Sequence, residues 1–300
     1  MLRWTQAGAV AAPTTVQIRV QQQFSGRIPL GVSAPSRGLS PAELIDNIRW
    51  FSAAARDPRS RPCTTLVLTG AGLAARSDVP AAVALGREEG IRRVVLHVEL
   101  DDLDAAAHAE YGALADALAV RVHPHVDGER ALEAIARAAA RGQEIRASIV
   151  LEQGALDAAA GMSAAVVRAG AGGVQLSYPF PGGPPPPPVP EAVAAAVAVA
   201  AVVPPHISLS IKGLPACALP EDVWRRASWR TPNRWYVDAQ HQLQQAVLFL
   251  PDVVRFAKAD RCRFCAADPR CDGYFDGPDH MPGLPPLTPQ TEPTTGTAPT

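Results

Sequence analysis

Short apolar runs alternate with helical patterns along the first two-thirds of the chain. The run "TTLVLTG" (64–70) is continuously apolar or β-branched and ends in glycine, as in a buried parallel strand. The predicted strands cover 16–20, 64–70, 91–100, 119–126, 145–153, 172–180 and 206–213. The predicted helices cover 40–54, 78–89, 101–118, 129–141, 155–169 and 190–203. This alternation predicts βα units with a parallel sheet, and hence an α/β fold with a partial, six-stranded (β/α)6 TIM-like barrel over about residues 14–213.

The pattern changes after Gly213. The segment 233–242 is typical of a hairpin, and 255–275 is typical of a compact loop. From about Met281 the chain is rich in proline and threonine and has no apolar period. The sequence therefore predicts a small irregular, cysteine-rich domain over 214–280 and a disordered tail over 281–300.

Composition excludes some classes of partner. The chain has 300 residues, is 47% hydrophobic and carries a net charge of −1, which argues against nucleic-acid or acidic-membrane binding. The apolar stretch 192–203 is too short to span a bilayer and is followed by two prolines. The first residues lack a basic segment followed by an apolar core, so we expect a cytoplasmic protein.

Five cysteines are the main candidates for chemistry, and three of them form "CRFCAADPRC", a C-x2-C-x5-C pattern. An odd number of cysteines without an export signal argues against a disulfide framework. Three closely spaced thiols, with a fourth available upstream, favour an Fe–S cluster, while a four-cysteine zinc site and free cysteines remain alternatives. The candidate ligands are Cys217, Cys262, Cys265 and Cys271; Cys63 is expected to be a small buried residue.

The predicted strand ends carry weaker signals. "LTGAG" (68–72) is a glycine-rich turn after a strand, where a ligand could approach backbone N–H groups. His123 and His125 share one face of a strand but have no third ligand nearby in sequence. His97 and Glu152 are further polar groups at strand ends. The sequence contains no G-x-S-x-G, P-loop or H-E-x-x-H motif.

Taken in order, the first strand and its loop, "LSPAELIDNI", "LVLTGAGLAARSDVP" and "KADRCRFCAADPRCDGYF" resemble the radical S-adenosylmethionine (radical SAM) enzymes with a C-terminal SPASM or twitch auxiliary-cluster domain. The resemblance covers about residues 16–275. It implies the partial barrel, and it implies that the C-terminal cysteines hold an auxiliary [4Fe–4S] cluster.

The chain departs from this family at the site of S-adenosylmethionine. The family's C-x3-C-x2-C loop corresponds to Phe24, Ile28 and Gly31, so all three cluster ligands are missing. The family's Gly-Gly-Glu-Pro motif corresponds to the segment Gly70, Ala71, Gly72 and Leu73, so its carboxylate is missing too. The resemblance therefore implies a degenerate site, and we do not expect S-adenosylmethionine as a cofactor.

The cysteine pattern of the auxiliary-cluster domain is more complete than that of the S-adenosylmethionine site. The fourth cysteine of the longer C-x2-C-x5-C-x3-C pattern would fall at Phe275, but Cys217 supplies a fourth thiol, enough for one cluster of the twitch type.

Three functional interpretations follow. The chain is a non-catalytic scaffold for an active radical SAM enzyme or a peptide substrate, an enzyme that reuses the barrel mouth, or a structural remnant with a four-cysteine zinc site.

Overall fold

A computed structural model describes most of the chain. The described residues are 2–4, 14–20, 37–52, 63–70, 72–106, 114–125, 128–179, 184–228, 234–248, 256–275 and 281–286. Phe24, Ile28, Gly31 and Ala71 lie outside these ranges, so the correspondence of these positions to a cluster loop stays a prediction.

The main sheet is a partial α/β barrel. Its strands are β2 (Thr15–Arg19), β3 (Thr65–Thr69), β4 (Arg93–Val98), β5 (Ala117–Arg121), β6 (Ile145–Val150), β7 (Gly173–Ser177), β8 (Ser208–Lys212), β9 (Trp235–Val237) and β10 (Val247–Leu248). They lie in the order β10-β9-β2-β3-β4-β5-β6-β7-β8. All neighbours from β9 to β8 are parallel, and β10 is antiparallel to β9. The predicted fold class is confirmed.

The helices follow the strands as the βα pattern requires. They are α1 (Pro41–Ser52), α2 (Val79–Glu88), α3 (Leu100–Ala106), α4 (Gly128–Ala140), α5 (Leu156–Arg168), α6 (Val189–Val202) and α7 (Glu221–Arg226). The start of α1 is a capping box. The Glu43 N–H donates to Ser40 Oγ at 3.3 Å, and the Ser40 N–H donates to Glu43 Oε2 at 2.9 Å. Among the described residues, no helix combines the length and the apolar character needed to cross a bilayer.

Within the described residues the sheet has eight parallel strands, whereas the sequence suggested seven strands and a six-stranded barrel. The strand that the sequence did not assign to the sheet is β9, which pairs with β2 so that Gln17 lies opposite Tyr236. The segment 233–242 was predicted to be a hairpin of the second domain, and β9 and β10 do pair antiparallel, but β9 also extends the barrel sheet. Three alternating residues do not reveal which strand they will pair with, since that choice depends on distant partners. The domain boundaries stay a prediction.

Two further boundaries differ from the sequence prediction. The helix predicted for 101–118 is wrong at its end, because β5 already begins at Ala117. The predicted disordered tail also begins too early. Met281 is buried, and the Val189 N–H donates to the Pro282 carbonyl at 2.7 Å. Residues 281–286 therefore pack against the start of α6, because a single buried methionine can anchor a segment that has no apolar period.

The C-terminal part adds a small antiparallel sheet of β1 (Leu2–Trp4), β11 (Phe256–Ala259) and β12 (Tyr274–Phe275). Phe256 and Phe275 are fully buried, with ring centres 4.8 Å apart. The Phe275 ring also lies 6.3 Å from the ring of Tyr178, which follows β7. Aromatic packing thus joins the small sheet to the carboxyl end of the barrel.

Candidate functional site

The glycine-rich turn after β3 is held by a carboxylate from the next βα unit. The Gly72 N–H donates to Asp102 Oδ2 at 2.8 Å, and the Leu73 N–H is close enough to lower the pKa of Asp102. Gly72 has a φ of 67°, a left-handed conformation that glycine adopts without strain. Asp102 is only 9% exposed, and burial raises its pKa although the two N–H groups oppose that shift. The sequence analysis missed Asp102, whose only signal is its place in the first turn after β4.

The residues that flank the segment 21–36 are joined by hydrogen bonds beside this turn. The Leu39 N–H donates to the Val20 carbonyl at 3.0 Å. Arg76 Nη1 donates to the carbonyls of both Val20 and Leu39, at 3.1 and 2.6 Å, and Arg76 also forms an ion pair with Asp78. The polypeptide therefore enters and leaves residues 21–36 at one point, at the carboxyl end of β2.

The barrel interior is lined by basic side chains. Val16, Ile18, Leu96 and Ile211 belong to the core shared with the helices, so strand alternation turns Arg19, His97 and Lys212 towards the interior. Arg121 follows the core residue Val120, so by the same alternation it faces inwards. Arg234 lies two residues before Tyr236, which pairs with Gln17, and it also faces inwards. Arg234 Nη1 donates to Gln17 Oε1 at 2.7 Å.

Burial and neighbouring charge weaken the basicity of this interior. Burial lowers the pKa of His97 to about 3, and the positive charges of Arg234 and Arg121 add to the shift. Burial likewise lowers the pKa of Lys212 to about 8, where Asp272 opposes the shift and Arg234 adds to it. His97 is therefore a neutral imidazole at pH 7, a state suited to hydrogen bonding within the barrel.

The low pKa of His97 predicts a loss of stability in acid. The unfolded chain protonates this histidine near pH 6.5 and the folded chain only near pH 3, so its contribution to stability is present above about pH 6.5 and disappears as the pH falls. Between pH 7.5 and 4.5 the free energy of unfolding should fall by about 2 kcal/mol less in His97→Gln than in the parent, measured by urea denaturation. The exposed His206, changed to glutamine, is the control and should behave like the parent. Equal losses in His97→Gln and the parent would contradict this assignment.

The other polar residues at the strand ends are not gathered into a metal site. His123 Nδ1 lies 3.6 Å from Glu152 Oε1, while His125 Nε2 lies 2.7 Å from the Gly154 carbonyl oxygen. The two histidines that share a strand face in the sequence thus contact different partners. In the part of the chain that the structure describes, no three His, Cys, Asp or Glu side chains are grouped so that they could hold a metal ion.

The cysteines lie in two adjoining segments. Cys217 is in the single turn Ala216–Ala218 just after β8, and Cys262 is in the turn Asp260–Phe264 just after β11. The Ala216 N–H donates to Cys271 Sγ at 3.4 Å, and the Gly273 N–H donates to it at 3.3 Å. Cys217 is close enough to Cys271 to affect its pKa, which burial raises to about 11. The structure therefore brings one end of the C-terminal loop onto the segment that carries Cys217.

Charged groups fix the rest of the loop. The buried Lys258 Nζ donates to the Asp268 carbonyl at 2.7 Å and lies 2.9 Å from its carboxylate. The Cys265 N–H donates to the Cys262 carbonyl at 2.9 Å, which makes C-x2-C a tight turn. Arg270 lies over the ring of the buried Trp224 in α7, 5.3 Å from its centre. These contacts set the conformation of the loop from both sides.

The donors suit a thiophilic metal, although the four sulfur atoms do not surround one point. The expectation that all four lie within coordination distance of a common centre is not met, since no group of three ligands is in place among the described residues. Two N–H groups pointing at one cysteine sulfur are nevertheless the kind of hydrogen bonding that supports metal thiolates. The ligand set stays a prediction. Cys63 is buried at the amino end of β3, as predicted.

Comparisons with known proteins do not assign this chain to a family. No family model matches the sequence, and no curated protein is significantly similar to it. Solved structures match at low identity. SuiB from Streptococcus suis is 8% identical with a TM-score of 0.46, over 67% of this chain and 49% of SuiB. Structures of SuiB bound to S-adenosylmethionine and to its precursor peptide SuiA also match, with TM-scores of 0.44 and 0.39.

Enzymes of other kinds match comparably. Tryptophan synthase from M. tuberculosis is 15% identical with a TM-score of 0.36, over 68% of this chain and 77% of that one. This chain spans about half the length of SuiB, at 49%. At these TM-scores the similarities assign neither a family nor an activity to the chain.

Proposed function

We propose that the chain is a catalytically degenerate radical SAM-like protein that binds one auxiliary cluster and serves as a scaffold for a partner. The partner is an active radical SAM enzyme or a peptide substrate, in the maturation of a peptide or another natural product. The observation that carries the proposal is the contact of Asp102 with the Gly72 and Leu73 N–H groups.

That contact supports degeneracy because it engages a carboxylate beside the turn in an internal hydrogen bond. In the family that the sequence resembles, this turn helps to bind the amino group of S-adenosylmethionine through a carboxylate. Here Gly72 replaces that carboxylate, and the nearby Asp102 already accepts a hydrogen bond from the Gly72 N–H. Releasing Asp102 to bind a ligand would leave this N–H without its acceptor, at a cost of about 1–3 kcal/mol.

The second part of the proposal is that four cysteines bind an auxiliary cluster. Cys217, Cys262, Cys265 and Cys271 would hold it, with hydrogen bonds from Ala216 and Gly273 to Cys271 already in place. A [4Fe–4S] cluster with four protein thiolates supplies electron transfer or mechanical support and leaves no iron open for a substrate. Zinc is the alternative occupant and would supply support only.

The test is anaerobic incubation of the reduced protein with S-adenosylmethionine, followed by measurement of 5′-deoxyadenosine. We expect none above the level of a protein-free control. The triple variant Phe24→Cys, Ile28→Cys and Gly31→Cys should be equally inactive, because restoring the thiols does not restore the carboxylate at Gly72. Production of 5′-deoxyadenosine by the unmodified protein would overturn the proposal.

A further inference from the structure

Two buried polar side chains lie side by side inside the barrel without hydrogen-bond partners. Arg19 in β2 and Thr69 in β3 are directly opposite each other in the parallel register. Arg19 is 6% exposed and Thr69 is 1% exposed. The Nε and Nη1 atoms of Arg19 and the Oγ1 atom of Thr69 are buried, and none of the three makes a hydrogen bond. Buried polar groups are normally paired, so unpaired atoms on two residues that face each other across adjacent strands indicate a missing partner.

The contacts of Arg19 leave part of its guanidinium without a hydrogen-bond partner. Its guanidinium carbon lies 5.1 Å from the centre of the Tyr236 ring, a favourable cation–π contact, and Arg19 opposes the rise that burial causes in the pKa of Tyr236. The Nε and Nη1 atoms still make no hydrogen bond. Among the described residues Arg19 has no ion-pair partner. Asp238, the acidic residue near Tyr236, accepts hydrogen bonds at its Oδ1 from the N–H groups of Gln240 and His241, both at 2.8 Å, while its buried Oδ2 makes none.

More positive charge lies in the same layer of the barrel. Thr69 pairs in register with His97, and His97 is close enough to Arg121 and Arg234 to be affected by their charges. Arg234 donates to Gln17, two residues before Arg19. Of the acidic groups on this side, Asp272 lies near Lys212, and Glu152 lies near His123. Glu99, just after β4, has a buried Oε1 atom that makes no hydrogen bond.

We propose that the barrel interior binds a small oxyanion, a carboxylate or phosphate group, that accepts hydrogen bonds from Arg19 and Thr69 and faces Arg234. One edge of a guanidinium, formed by Nη2 together with either Nε or Nη1, donates two parallel N–H bonds to two oxygens of such an anion, and a threonine hydroxyl can donate to a third. The anion also neutralises a buried positive charge that has no ion-pair partner in the described chain. This site does not depend on a metal cluster or on S-adenosylmethionine.

The test is calorimetric titration of the full chain, in a low-salt buffer free of oxyanions, with inorganic phosphate and separately with succinate. We expect saturable binding of one anion per chain for at least one of them, while chloride at the same ionic strength gives none. Binding of phosphate alone assigns a phosphate group to the natural ligand, and binding of succinate alone assigns a carboxylate. No saturable binding of either anion by the parent protein overturns the proposal.

Matched variants locate the site. Arg19→Gln should weaken the binding at least about tenfold, because a charge-assisted hydrogen bond is lost. Arg93→Gln removes the same charge from the amino end of β4, where Arg93 lies 3.2 Å from Glu144, and should bind as the parent does. Arg19→Lys, which keeps the charge and loses the fork, should bind more weakly than the parent. Equal affinity in the parent and both Arg19 variants, or an equal loss in Arg93→Gln, would place the anion elsewhere and overturn the proposal.

Discussion

Cys265→Ser should lose most of the metal that the parent protein binds, and its melting temperature should fall by several degrees. Cys265 lies in the tight C-x2-C turn, where its N–H donates to the Cys262 carbonyl, so serine fits the backbone but removes one thiolate ligand. Metal binding at such a site stabilises the folded state, and losing a ligand loses that stabilisation. The measurements are iron, sulfide and zinc content after anaerobic purification, followed by thermal denaturation.

The control for this experiment is Cys63→Ala. Cys63 is buried at the start of β3, where burial raises the pKa of its thiol to about 12, so it has no place in the proposed ligand set. We expect this variant to keep the metal content of the parent. If Cys265→Ser also keeps its iron, sulfide and zinc and melts with the parent, the four cysteines do not form a metal site.

Gly273→Ala should destabilise the chain by about 3 kcal/mol or more. Gly273 has a φ of 97°, and a methyl group there would overlap the Ala257 carbonyl oxygen and lie 3.0 Å from Lys258 Cγ. The strain of the left-handed backbone adds to a clash with the backbone of β11, which cannot move without disturbing the small sheet. Gly273 also donates its N–H to Cys271, so the same change should weaken metal binding.

Gly154→Ala separates the clash from the backbone strain. Gly154 has a φ of 89°, but an added methyl group would meet no atom within 4 Å. It should therefore lose only about 1 kcal/mol, the cost of the left-handed conformation itself. Urea denaturation of both variants measures the difference. Equal losses at the two positions would show that the contact with Ala257 is not rigid.

The proposed anion site and the proposed scaffold role depend on different residues. The scaffold proposal rests on the turn after β3 and on the cysteine segments, whereas the anion site rests on Arg19 and Thr69. A protein that binds phosphate or succinate and still fails to cleave S-adenosylmethionine would satisfy both. Loss of metal in Cys265→Ser should leave anion binding unchanged, because the two sets of residues do not overlap.

The sequence by itself determined the local structure of the barrel. The centre of strand β3 is apolar on both faces and buried, and α1 begins where Ser40 and Glu43 can cap it; both signals act within a few residues. The tertiary structure alone placed Asp102 on Gly72, paired Arg19 with Thr69, added β9 beside β2 and packed Met281 against the barrel. These contacts join residues that are tens to hundreds of positions apart, so they depend on how the whole sheet closes rather than on any local pattern.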